Sequence, residues 1–199
     1  MTSSISSVSI PEGSSGIFRV EHFVVTEEDA KLSRLRAAIN PHRDECPVDP
    51  GSYTALRRSG KLIMSDTISE RWNHEDFVRR AEGDVLIAGL GIGMVAAAVL
   101  RKDSVRHVTI VEKEVDVIKL VAGHLPRQDK LEMLCADVLT WKPQRNRRWD
   151  HAWFDIWDGV CEDNLQDITR LKRRFCKRAA AMGFWSLRQI RRLQARYRP

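Results

Sequence analysis

The sequence predicts an α/β protein built on an open parallel sheet, and three observations predict it. From Asp84 onward, short apolar runs alternate with helix-like segments. Two of the runs, VLIA (Val85–Ala88) and VTIV (Val108–Val111), read as near-continuous apolar stretches, as strands buried on both faces do. Three glycines, Gly89, Gly91 and Gly93, separate the first run from an alanine-rich helix.

The elements follow in order. Residues 1–16 are rich in Ser and Gly, lack the apolar stretch of a signal peptide, and are expected to form a disordered tail. Ile17–Val25 reads as a strand because β-branched and aromatic residues dominate it. Thr26, followed by Glu27, Glu28 and Asp29, starts a helix well, and Asn40-Pro41 stops it near Ile39. Ser52–Leu56 and Lys61–Ser65 read as a hairpin around Arg57–Gly60. Ser69–Ala81 reads as a helix with Trp72 and Phe77 on its apolar side. Residues 17–82 thus form a small α+β appendage.

The main domain, residues 83–199, is Rossmann-like. It runs strand Val85–Ala88, helix Met94–Arg101, strand His107–Val111, helix Val115–His124, strand Leu131–Ala136 and strand His151–Phe154. A long helix, Asp163–Ala181, a strand, Met182–Ser186, and a basic helix, Leu187–Arg198, complete it. The sheet would have about five strands, and its edge would need covering, by a second copy in a homodimer for example.

Bulk properties narrow the class. The 199 residues are 43% apolar and 30% charged, and no apolar run reaches the length of a membrane span. The four cysteines, Cys46, Cys135, Cys161 and Cys176, contain no CxxC pair, and the six histidines are scattered. That excludes a disulfide framework and points to reduced thiols in a cytoplasmic protein without a metal. The net charge of +6 is uneven: all 27 acids precede Arg170, and eleven of the 33 Lys and Arg lie from Arg170 onward. This basic segment, 170–199, is either a solvated amphipathic helix face or a footprint for nucleic acid.

The glycine turn carries the sharpest chemistry. Glycine allows a tight turn and close approach of a ligand, at the strand ends where open sheets bind one. A dinucleotide fingerprint needs glycine where Met94 stands, and no P-loop Gly-Lys-Ser/Thr is present. Glu112 ends the second strand, where a carboxylate can accept both hydroxyls of a ribose. Asp137 follows the third strand and can accept from an adenine amino group, with Val138 beside the ring. Together these residues predict nucleoside binding.

On these motifs the chain resembles the class I S-adenosylmethionine-dependent methyltransferase superfamily, in its spermidine synthase-like branch. The resemblance covers roughly residues 61–157 and rests on VLIAGLGIG (Val85–Gly93), VEKEVDVI (Val111–Ile118), the segment with Asp66, Glu70 and His74, and FDIWD (Phe154–Asp158). It implies S-adenosylmethionine, or its decarboxylated form, as cofactor. It also implies Asp155 as a base on an incoming nucleophile, with Asp158 helping to hold an amine. The family pattern has an Asp at Ile92, a Gln at Met64 and a Tyr at Asn73, so polyamine synthesis is not the expected main activity.

Two functions follow. The first is a group-transfer enzyme, most simply a methyltransferase acting on a small molecule or protein. The second is a non-catalytic nucleoside-binding protein that docks on nucleic acid or a protein through its basic C-terminal segment.

Overall fold

Local sequence divides the chain between an antiparallel and a parallel sheet, and a computed structural model shows both. It describes residues 5–39, 47–185, 187 and 189–191. The first sheet has strands β1 (Gly13–Ser15), β2 (Phe18–Val25), β3 (Gly51–Arg58) and β4 (Lys61–Ser65) in that order, each antiparallel to the next. Ser59 and Gly60 link β3 to β4 with φ of 48° and 81°, the left-handed pair that matches the twist of a hairpin. Helix α1 (Glu27–Ile39) begins with a reciprocal cap. The Thr26 hydroxyl accepts from the Asp29 N–H at 3.2 Å, and the Asp29 carboxylate accepts from the Thr26 N–H at 3.0 Å.

The second sheet is parallel, with order β7-β6-β5-β8-β9. Its strands are β5 (Gly83–Ala88), β6 (Val105–Glu112), β7 (Leu131–Cys135), β8 (Trp149–Phe154) and β9 (Ala179–Phe184). This is the Rossmann-like arrangement expected. The chain leaves β5 toward β6 on one side and later returns to β8 on the other, so the switch point lies at the carboxyl end of β5.

Helices α2 (Ile68–Arg80), α3 (Met94–Leu100), α4 (Val115–Val121) and α5 (Asn164–Phe175) cover the sheet. Side-chain alternation along β5 divides the interior. Val85 and Ile87 join one core with α3 and the first sheet, while Leu86 and Ala88 join the other with α5 and β9. All seven residues of α3 are buried, and Ala96, Ala97 and Ala98 let the helix lie close to its neighbours.

Several expectations need correction. The segment expected as a disordered tail packs instead, from residue 5 onward. Ile5 is 2% and Ile10 4% exposed in the main core, and the Val8 N–H donates to the buried Asp66 carboxylate at 3.1 Å. The segment is tied down by backbone contacts as well as by its two isoleucines: the Ile10 carbonyl meets His22 Nε2 at 2.8 Å, and β1 pairs with β2 just beyond it. Trp72 is 43% exposed, so the buried face of α2 is His74, Phe77 and Val78. The helix expected over 163–181 ends at Phe175, and Ala179–Ala181 belong to β9. Alanine is a strong helix former, but intrinsic propensity yields readily to tertiary context, and pairing with β8 from Trp149 onward overrides it. Most of the basic helix expected at the C-terminus, residues 192–199, lies outside the described residues, whereas Leu187 and Ile190 pack on the second core. Among the described residues no helix is long and apolar enough to cross a membrane.

Ile10→Ala should lower the unfolding free energy by about 2–4 kcal/mol, the usual cost of an aliphatic side chain truncated in a core. Urea unfolding measures it. A change near zero would return residues 5–12 to solvent.

Candidate functional site

The three glycines turn out to serve three different neighbours. Gly89 has φ of 92°, and a Cβ there would lie 1.9 Å from the Asp155 carbonyl oxygen. That contact is possible only for glycine. It brings the ends of β5 and β8 together, with the Asp155 N–H donating to the Ala88 carbonyl at 2.8 Å. Gly91, with φ of 52°, faces the Met64 sulfur, 2.3 Å from a built Cβ. Gly93, with φ of 72°, faces Val121 and Leu125, each with an atom 2.9 Å from a built Cβ.

Glu112 ends β6 at 7% exposure and holds the turn. Its carboxylate accepts the Leu90 N–H at 2.7 Å and the Glu114 N–H at 2.9 Å, one on each oxygen. Each oxygen keeps a second lone-pair direction for a ligand hydroxyl. Asp137 is exposed after β7, and one of its oxygens accepts the Leu139 N–H at 2.8 Å, which fixes the turn that buries Val138.

These groups surround one cavity of about 570 Å³ between the two sheets, within the range of small-molecule sites. Of the residues expected from the sequence, Gly89, Gly91, Glu112, Asp137, Val138, Asp155 and Asp158 line it. Gly93 does not, because it caps α3 with its Cα turned toward α4. Its role is packing.

The two acids of the FDIWD run diverge. Asp155 faces a fully buried histidine, with His74 Nε2 3.7 Å from its Oδ2. Burial first, then the Glu70 and Glu112 charges, push the Asp155 carboxyl up to about 8. Burial pulls the His74 imidazole down to about 4, and both ring nitrogens lack a hydrogen-bond partner among the described residues. Burial also raises Glu70, opposed by a hydrogen bond with Asn73. Asp158 instead forms an ion pair with Arg58 of β3, across the mouth of the cavity between the two sheets. The ion pair ties its carboxylate to the first sheet.

His74, Glu70 and Arg58 therefore belong to the site, although motif spacing alone did not assign them roles. The available signal was Glu70 and His74 four apart, on one face of a helix leading into the first parallel strand. Among the described residues no cluster of three metal-type ligands occurs.

No family model matches the chain. Polyamine aminopropyltransferase 2 of Hyperthermus butylicus is 30% identical over 123 residues, covering 55% of this chain. The chain is similar in sequence to an aminopropyltransferase. It spans 40% of that curated relative's length. Among solved structures, the N-methyltransferase NodS from Bradyrhizobium japonicum WM9 in complex with S-adenosyl-L-homocysteine aligns with a TM-score of 0.47 at 14% identity. That alignment covers 60% of this chain and 62% of NodS. An S-adenosylmethionine-dependent methyltransferase from Clostridium acetobutylicum ATCC 824 aligns with a TM-score of 0.41 at 14% identity, over 55% of this chain and 44% of that one. The sequence similarity agrees with the spermidine synthase-like resemblance read from residues 61–157.

The Asp155–His74 pair makes stability pH-dependent. Between 3.8 and about 8 the folded protein keeps a proton on Asp155 that the unfolded chain has lost, so stability falls as pH rises through that window. His74 acts in the opposite sense between about 4 and 6.5, because the unfolded imidazole takes a proton that the folded ring refuses. The two offset each other up to 6.5, above which only the carboxyl contribution remains. Glu70, also raised, acts in the same sense as Asp155. Unfolding free energy from urea titration should fall from pH 6.5 to about 8, by at most about 1.4 kcal/mol per unit for one proton. Asp155→Asn should flatten the fall. An equally steep fall in that variant would assign the proton elsewhere.

Proposed function

We propose that the chain binds S-adenosylmethionine or its decarboxylated form in the cavity between the sheets and transfers a group from it to a small acceptor. The observation that carries this reading is the convergence of three successive strand-end acids, Glu112, Asp137 and Asp155, with the glycine turn on one cavity. The residues suit the cofactor's parts. Gly89 and Gly91 leave the turn without Cβ atoms, Glu112 has free lone pairs for a ribose, and Asp137 and Val138 flank the position of an adenine.

When bound, the cofactor supplies a sulfonium whose attached carbon is already activated. The chain's own residues then have two tasks. The two sheets enclose the reacting groups and align them. In its ionised form Asp155 takes the proton that the attacking acceptor loses, and with its carboxyl raised to about 8 that form gains population as pH rises toward this value.

The similarity to an aminopropyltransferase supports the decarboxylated form as donor. The site's own chemistry argues against a polyamine acceptor. Met64 and Asn73 stand where the family pattern has Gln and Tyr, and Arg58 neutralises Asp158.

Calorimetric titration with S-adenosylmethionine, decarboxylated S-adenosylmethionine, S-adenosylhomocysteine and NAD tests the reading. At least one adenosyl sulfur compound should bind, and NAD should bind poorly because Met94 occupies the third fingerprint position. Glu112→Ala should weaken binding by about 1–3 kcal/mol, the usual cost of losing a hydrogen bond to a charged group. Tighter binding of NAD than of any adenosyl sulfur compound would overturn the proposal.

A further inference from the structure

Away from the cavity, the fold joins two basic segments that the sequence holds far apart. Residues 142–148 carry Lys142, Arg145, Arg147 and Arg148 with no acid. Residues 170–178 carry Arg170, Lys172, Arg173, Arg174, Lys177 and Arg178, also with no acid. The Arg178 guanidinium donates to the carbonyls of Gln144 at 2.8 Å and Arg147 at 3.3 Å. The Arg174 guanidinium donates to the carbonyls of Val138 at 2.7 Å and Leu139 at 2.5 Å. The Trp149 N–H closes the contact by donating to the Arg178 carbonyl at 2.7 Å.

The clamps use carbonyl oxygens, so they order the cations without cancelling them. Of these ten basic residues, only Arg147 has a carboxylate partner among the described residues, Glu132 at 3.0 Å. Lys142, Arg145, Arg148, Arg170, Arg173 and Lys177 are exposed. Several arginines elsewhere are instead paired with acids. Arg79 and Arg80 share Asp76, Arg106 bridges Asp84 and Asp150, and Arg127 meets Asp103. A favourable interaction with the helix dipole accounts for cations at the end of α5, but not for those of the 142–148 loop. Concentrated like charge costs stability unless an anion meets it.

The chemistry of the face selects the anion. Seven of the ten cations are arginines, whose planar fork matches a phosphate in two parallel hydrogen bonds. No exposed large apolar side chain lies among the described residues after Val115, so the face lacks what a helix needs to insert into a lipid surface. The face also starts beside the cavity: Arg170 lies one turn beyond the lining residue Asp167, and Arg174 grips the carbonyls of the lining residues Val138 and Leu139.

We propose that this face, formed by the 142–148 loop and the outer side of α5, docks the phosphate backbone of a nucleic acid alongside the cavity. The docking is independent of the proposed cofactor, so either can fail without the other.

Fluorescence anisotropy tests it, with the full chain and labelled single-stranded RNA, duplex RNA, duplex DNA and poly-glutamate, from about 50 to 200 mM salt. At least one nucleic acid should bind at the low end and weaken steeply as salt rises. Arg145→Gln, Arg170→Gln and Arg173→Gln together should weaken binding about tenfold or more and reduce the log–log salt slope by about one unit per lost phosphate contact. None of these three side chains makes a hydrogen bond or ion pair among the described residues, and an unchanged melting temperature would verify the fold. Arg79→Gln with Arg80→Gln, on α2, should leave binding unaltered. The proposal is overturned if no nucleic acid binds at the lowest salt, or if the triple variant binds like the wild type. Poly-glutamate binding as tightly as nucleic acid would also overturn it, and would make the partner an acidic protein.

Discussion

Glu112 holds the molecule's functional end in shape. A carboxylate at 7% exposure would be costly without partners, and it has two, the N–H groups of Leu90 and Glu114. The first ties the glycine turn after β5 to the end of β6. The second sets the direction in which the chain leaves β6 for α4. The same carboxylate lines the cavity and adds to the field that keeps Asp155 protonated. One side chain therefore fixes the turn, leaves lone pairs for a ligand and conditions the neighbouring acid. The remaining strand ends are tied by backbone bonds: Gly89 N–H to Val111, Ala136 N–H to Glu112, Asp155 N–H to Ala88 and Trp185 N–H to Phe154.

Within that frame, the glycine turn is best understood by what each residue approaches. A side chain at Gly89 would collide with backbone, which cannot yield without separating β5 from β8. One at Gly91 would meet the flexible end of Met64, which can move. One at Gly93 would press on Val121 and Leu125, within the packing of α4. A regular G-x-G-x-G spacing thus conceals three requirements of different severity, and only the first two concern the cavity.

The parts that could be read from sequence were those governed by local pattern. Near-continuous apolar runs marked β5 and β6 because burial on both faces leaves few polar positions, and the strand-end acids marked the cavity because the topology puts those ends together. What escaped depended on partners distant in sequence. Ile5 and Ile10 read as a tail until β1 adds to β2 and the Val8 N–H finds Asp66. The alanines of β9 read as helix until β8 lies beside them, where Gly183 admits the Trp153 ring. His74 sits in a helix whose composition is mostly charged, and only the arrangement of α2 against β8 shows it buried beside Asp155. The pairing of Arg58 with Asp158 joins residues a hundred positions apart and has no local signature.

That last pairing bears on the chemistry of the site. Asp155 and Asp158 are three residues apart, but the strand ends between them. Asp155 still makes its backbone bond to Ala88 and points into a buried space, where the cost of an unshared charge keeps it neutral at neutral pH. Asp158 lies beyond the strand and meets the Arg58 guanidinium. The two carboxyls thus have separate duties: one can exchange a proton, and the other joins the two sheets that form the cavity. Within one FDIWD run the structure thus places one carboxyl beside a buried histidine and the other in an ion pair between the two sheets.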